Sequence, residues 1–147
     1  MINYFGRACK MSAIKELIRT EADGTLSFGD YELETKAKRS DYEYQGDLYK
    51  VKTYQDITKL ERNGMFVYES VPGTAVHSFS AAADGVSFEV EGPKDAQVII
   101  GLEDDAEYEI FIDGASTGTM KTNMGGKLVL SVEAGAADSV PVKVVKR

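Results

Sequence analysis

The sequence predicts an all-β protein, an antiparallel β-sandwich with an additional N-terminal β-hairpin lobe. Three observations carry this. Four turn dipeptides, Asp23-Gly24, Asn63-Gly64, Asp84-Gly85 and Asp113-Gly114, each separate two segments with strand character. Asn-Gly and Asp-Gly favour the positive φ angles of tight hairpin turns. Apolar and polar residues alternate in several segments, the mark of a strand with one buried and one wet face. Hydrophobic residues make up 43% of the 147 positions, with 14 Gly and only three Pro, which suits a folded domain rich in turns.

The elements follow in chain order. Ile14, Leu17 and Ile18 have helical spacing, but Ile14, Glu16 and Ile18 also fit a strand entering the Asp23-Gly24 turn. Leu26 and Phe28 across that turn favour the strand, with a short helix as the alternative. Tyr49–Thr53 reads as another strand, and Ile57–Arg62 pairs with Met65–Glu69 across Asn63-Gly64. Val71-Pro72-Gly73 marks a boundary, because Pro ends ladder pairing and Gly frees the turn. Met11 is an alternative start. The expected organisation is an N-terminal extension over 1–10, a β-rich lobe over 11–73 and a sandwich over 74–147. The last part begins with Thr74–Phe79. Alternating Val86/Phe88/Val90, the run Val98–Ile100, alternating Tyr108/Ile110/Ile112 and Thr117–Lys121 follow, then Leu128/Leu130/Val132 and Val140/Val142/Val144. That makes about seven strands, as a compact sandwich requires.

Composition excludes several chemistries. There is one histidine (His77), one cysteine (Cys9) and no tryptophan, so a zinc site with several His or Cys ligands cannot be built. His77 and Ser78 are adjacent, and neighbouring strand residues point to opposite faces. The acidic run Glu103, Asp104, Asp105, Glu107, Glu109 lacks the ordered spacing of a calcium loop. The Gly-rich segments 113–118 and 122–126 lead into strands rather than a helix, which a phosphate-binding loop needs. No catalytic residue, metal or cofactor is therefore expected. Net charge is −7, with −1 over residues 1–75 and −6 over 76–147. An acidic chain without a basic stripe predicts no nucleic-acid partner and no membrane surface. The absence of an apolar stretch at the N-terminus and the lone Cys predict a cytoplasmic protein.

Tyrosines crowd the first half. Tyr31, Tyr42, Tyr44, Tyr49, Tyr54 and Tyr68 fall within 38 residues. Tyrosine favours strands on packing grounds alone, yet its rigid ring with a polar tip also serves subunit interfaces and sugar-binding platforms. Tyr42, Tyr44, Tyr49, Tyr54 and Tyr68 are the candidates for either role. The expected partners are a second copy of the chain, since paired strand edges remove an aggregation hazard, or a glycan.

Two resemblances bear on these expectations. In Gly101–Ile110, Leu102 stands six residues before Tyr108. This resembles the tyrosine corner of fibronectin type III-like sandwiches, and it gives Leu102 and Tyr108 a structural role, the hydroxyl bonding back to nearby backbone. Tyr108-Glu109-Ile110-Phe111-Ile112-Asp113-Gly114 is also similar to small accessory sandwich modules of bacterial surface and carbohydrate-active proteins. Met11–Arg19, Asp23–Gly29 and Asn63–Thr74 together resemble a short bacterial family labelled "endosialidase", a label that implies cleavage within polysialic acid. Catalytic sialidase domains are much larger propellers with an arginine cluster and Trp-containing turns. Here Arg stands only at 7, 19, 39, 62 and 147, with no Trp, so no catalytic residue of such a domain maps onto this chain. The functional expectation is a non-catalytic, homo-oligomeric structural or interaction module. A carbohydrate-binding module is the first alternative and a glycan hydrolase the second.

Overall fold

Alternating buried and outward positions mark Asp47–Tyr54, Gly85–Glu91, Lys127–Val132 and most of Val140–Lys146 as half-buried strands. A computed structural model describes residues 12–147; the expected extension over 1–10, with Cys9, lies outside the described residues. The strands are β1 Ile18–Thr20, β2 Leu26–Phe28, β3 Ala37–Tyr44, β4 Asp47–Tyr54, β5 Ile57–Arg62, β6 Met65–Val71 and β7 Ala75–Ala82. They continue as β8 Gly85–Glu91, β9 Ala96–Gly101, β10 Glu107–Ile112, β11 Ala115–Lys121, β12 Lys127–Val132 and β13 Val140–Lys146. A short 3-10 turn at Ala134–Ala136 precedes β13. The strands build two antiparallel sheets. One has seven strands in the order β1-β2-β7-β8-β13-β10-β11, and the other has six in the order β12-β9-β6-β5-β4-β3.

Turn chemistry appears as expected at Asn63-Gly64 and Asp113-Gly114, where both residues have positive φ (52° and 79°, 54° and 83°). Gln45-Gly46 does the same between β3 and β4 (52° and 83°), a hairpin that the Asn/Asp-Gly rule overlooks. At the chain start, Ile14–Leu17 is a turn closed by a Leu17 N–H bond to the Ile14 carbonyl. The strand begins at Ile18 and pairs with Phe28.

The β-rich lobe expected over 11–73 shares both sheets with the strands that follow it. β2 pairs with β7 in the larger sheet and β6 pairs with β9 in the smaller one, so both sheets take strands from either side of residue 73. The physical reason is burial. Val51, Leu60 and Tyr68 of β4–β6 belong to one core with Phe79, Phe88 and Val142 from the second half, and neither set is covered without the other. Tyr68 meets Phe28 and Phe88 edge-on at 5.4 and 5.8 Å between ring centroids, which joins the two sheets through aromatic contacts. Val71-Pro72-Gly73, read as a lobe boundary, is where the chain passes from one sheet to the other. Its Val71–Pro72 peptide is cis.

That crossing is held by a chain of buried hydroxyls. The Asp30 N–H donates to Thr53 Oγ1 (3.0 Å), and Thr53 Oγ1 lies 2.8 Å from Thr58 Oγ1. Thr58 Oγ1 donates to the Thr74 carbonyl (2.7 Å) and accepts the Thr74 N–H (3.1 Å). Since the Thr58 proton goes to that carbonyl, Thr53 is the donor in the Thr53–Thr58 bond. Thr74 Oγ1 closes the chain on Tyr68 Oη (2.9 Å) and Ser70 Oγ (2.8 Å). Thr53, Thr58, Ser70, Thr74 and Tyr68 are all fully buried. Unpaired polar groups there would each cost about 1–3 kcal/mol.

Thr58→Val keeps the side-chain shape but strips partners from Thr53 and from both backbone groups of Thr74. It should lower unfolding free energy by about 3 kcal/mol. Thr119→Val on exposed β11 should stay within about 0.5 kcal/mol of the parent protein. Urea denaturation of the two variants side by side measures the difference.

Candidate functional site

Four of the five candidate tyrosines are engaged within the chain. Tyr68 is fully buried, so it offers no surface to a partner or a sugar and is corrected to a core residue. Tyr49 is buried as well, and it meets Tyr44 edge-on at 5.6 Å and 72°. Tyr44 donates to the Gly24 carbonyl (2.6 Å), and Tyr42 Oη lies 2.8 Å from Thr20 Oγ1. These bonds fasten β3, an outer strand of one sheet, to the β1–β2 hairpin at the rim of the other. The Arg39 guanidinium covers the Tyr42 ring at 5.0 Å. Tyr42, Tyr44 and Tyr49 are thus brought together as a closure between sheets. Tyr54 alone projects outward, with the Lys36 ammonium 5.8 Å from its ring centroid.

Around Tyr54 the structure assembles what the sequence disperses. Lys38 of β3 lies directly opposite Lys52 of β4, and Lys52 lies opposite Lys59 of β5. The row continues through Glu69 of β6 and Ile99 of β9 to Val129 of β12. Strands are spaced by about 4.8 Å, so the three lysines span roughly 10 Å. Lys50 shares the face, two residues along β4. The neighbouring ammonium groups, Lys36 foremost, hold Lys52 below its ordinary pKa. Lys59 has a carboxylate nearby, Glu61 at 3.6 Å. A basic stripe therefore exists, contrary to the expectation from composition. Beside it the same face turns apolar, with Val71 51% and Val129 50% exposed and Ile57 and Ile99 half-buried. The signal in the sequence is that the outward positions of successive strands carry Lys38, Lys50, Lys52 and Lys59, but only the register aligns them.

The remaining motifs have structural work. His77 is buried, its Nε2 3.0 Å from Glu91 Oε1, while Tyr31 donates to Glu91 Oε2 at 2.6 Å. Burial, followed by Glu91, raises the Tyr31 phenol above its ordinary pKa, so it remains a donor. The cluster ties the segment after β2 to the outer side of β7 and β8. A bulge in β7 at Ser78, whose φ is +57°, separates outward His77 from inward Phe79. The Glu103 N–H donates to Tyr108 Oη (3.2 Å), and Thr122 Oγ1 accepts from the Ala106 N–H (2.9 Å) and donates to the Glu103 carbonyl (2.7 Å). Tyr108 and Thr122 so fix the loop that carries the acidic run, with half-buried Leu102 packed on the core. Two of that run's carboxylates face ammonium groups, Glu103 with Lys146 and Asp105 with Lys121. Among the described residues no three His, Cys, Asp or Glu side chains gather as a metal site, and no helix is long and apolar enough to cross a membrane.

Comparison with protein-family models, with curated proteins and with solved structures finds no match to this chain. The site therefore rests on its own geometry.

The core assignment of Tyr68 has a pH consequence. Burial pushes its phenol up to about 12, with the Thr74 and Ser70 hydroxyls pulling the other way. An unfolded chain ionises tyrosine near pH 10, so between about pH 10 and pH 12 the unfolded state releases a proton that the folded state retains. Stability falls as pH rises through that window, by up to about 3 kcal/mol from this group. Urea unfolding at about pH 9 and about pH 11.5 should show Tyr68→Phe weaker than the parent protein at the lower pH but less sensitive to the rise.

Proposed function

We propose that this chain is a non-catalytic interaction module that docks an acidic protein segment on the outer face of its six-stranded sheet. The observation that carries this is the Lys38–Lys52–Lys59 row standing beside exposed Val71 and Val129 and half-buried Ile99 on one face. Like charges directly opposite one another destabilise a sheet. An arrangement unfavourable for the isolated fold is understandable where an anionic partner neutralises it. Exposed apolar side chains next to a charged patch are the composition of a protein-binding surface.

The chemistry favours a polypeptide over a nucleic acid. Five of the chain's 17 Lys+Arg converge here, in a protein of net charge −7, so a long phosphate backbone leaving the patch would run over acidic surface. A short extended segment with alternating acidic and apolar residues satisfies both halves of the face. Self-association is the weaker version, because two copies of this face bring lysines against lysines or against valines, and Glu69 is the sole carboxylate in the row.

Lys52→Glu places a carboxylate between two ammonium groups. It should stabilise the sheet by about 0.5 kcal/mol while weakening docking at least about tenfold, since charge complementarity is reversed at the centre. A fluorescein-labelled peptide of alternating glutamate and valine, followed by fluorescence polarisation at low and high salt, reads the second effect. Urea denaturation reads the first. Unchanged peptide affinity in the variant overturns the reading, as does tighter binding of single-stranded DNA or of phosphatidylserine vesicles than of the peptide.

A further inference from the structure

The two ends of the sandwich differ. The end at the β4–β5 turn is plugged by the hydroxyl chain. The opposite end, where the Asn63-Gly64 turn, the β7–β8 turn and the loop after β9 converge, holds a cleft of about 390 Å³ between the sheets. Its floor is the core itself, with faces of Phe79, Val86, Ile100 and Tyr108. Small residues leave it open. β7 runs out through Ala81 and Ala82 into Ala83 along the cleft wall, and Ala81, opposite inward Val86, stands where a larger side chain would fill the space. The size falls in the range of small-molecule pockets, about 300–1,000 Å³.

One residue at the mouth breaks the apolar pattern. Along β5 the inward positions are Thr58, Leu60 and then Arg62, and Arg62 lies directly opposite Tyr49 on β4. Both line the cleft. Burial raises the Tyr49 phenol above its ordinary pKa, and the nearby Arg62 charge offsets part of that rise. A guanidinium on the inner face of a sandwich, at the edge of an apolar cavity, presents a planar fork of donors suited to a carboxylate. Across the mouth, Glu103 is paired with Lys146 (2.8 Å), and Asp104 lines the rim. That rim favours a single anionic group lodged on the Arg62 side over a dianion.

We propose that the cleft binds a small monocarboxylate with an apolar body, on the scale of a medium-chain fatty acid. The apolar part packs on Phe79, Val86, Ile100 and Tyr108, and the carboxylate meets Arg62 and the Tyr49 hydroxyl. The site is independent of the lysine face, which lies on the outer side of the same sheet.

Isothermal titration of the full chain with octanoate, and separately with octanol, tests this. Octanoate should bind saturably. Arg62→Gln, whose side chain is exposed at the mouth, should weaken octanoate at least about tenfold and octanol less than about twofold, with its urea midpoint reporting that it folds. Ala81→Leu, opposite inward Val86 on the cleft wall, narrows the cavity and should weaken both, with its urea midpoint reporting that it folds. No saturable octanoate binding up to its solubility limit overturns the proposal. Octanoate affinity unchanged in Arg62→Gln, or octanol affinity falling equally, overturns the assigned role of the arginine. If Ala81→Leu does not fold, methyl NMR shifts of Val86 and Ile100 in the parent protein locate the ligand, and shifts confined to other methyls overturn the site.

Discussion

The crossing from β6 to β7 is the constraint on which the rest of the sandwich depends. Between two ladders the backbone of Thr74 has no strand partner, yet it is fully buried, and a buried peptide group must be hydrogen-bonded. Thr58 solves this with one hydroxyl that gives to the Thr74 carbonyl and takes from its N–H. Two glycines let the strands come close enough. A Cβ on Gly73 would lie 2.1 Å from the Tyr54 carbonyl oxygen, and one on Gly29 would lie 2.3 Å from that of Thr74. With the crossing fixed, Tyr68 is placed to touch both Thr74 and the Phe28 and Phe88 rings. The polar chain and the aromatic core are therefore anchored by the same side chain.

Closing one end this tightly assigns roles to the remaining surfaces. Tyr42 and Tyr44 of β3 lie along the side where outer strands of the two sheets meet, and their hydroxyls are engaged there. The loop after β9 is pinned by Tyr108 and Thr122, which makes one wall of the open end rigid without filling it. Among the described residues no element covers the outer face of the six-stranded sheet. What separates a packed tyrosine from an available one is thus its position relative to these closures, since Tyr42, Tyr44 and Tyr54 are chemically alike.

Much of this fold was legible because it is written in local patterns. β8, β12 and β13 alternate cleanly, and Asn63-Gly64 and Asp113-Gly114 carry their turn geometry in two residues. β3 was obscured because its pairing with β4 shifts between Arg39 and Tyr42, and Asp41, at φ +59°, interrupts the alternation. The tyrosine cluster misled for a related reason. Residue type sets what a ring can do, but only register and sheet order set whether it faces core, neighbour or solvent. Lys38, Lys52 and Lys59 are separated by 14 and 7 positions in the chain and become neighbours through two strand pairings. The threonine chain is hidden in the same way, since nothing local marks Thr53, Thr58 and Thr74 as partners.

Both binding surfaces inferred here lie where the sequence violates a rule that the rest of the chain obeys. Elsewhere the inner face is apolar or hydroxyl-bonded and charges of opposite sign are interspersed, as in the Lys15–Glu32 and Lys146–Glu103 pairs. At the lysine row three like charges stand in register, and at the cleft an arginine takes an inward position that Leu60 fills one step earlier. Consistency between local and global preference is the condition for a well-defined fold, and isolated departures from it concentrate where something other than folding is served. Each departure also specifies its complement. An exposed row of ammonium groups beside valines calls for an extended acidic and apolar strand, and a guanidinium over an aromatic floor calls for a carboxylate on a hydrocarbon. On the two proposals, the two faces of one sheet would serve two ligands of different size, with Lys59 and Arg62 three residues apart on β5 and facing opposite sides.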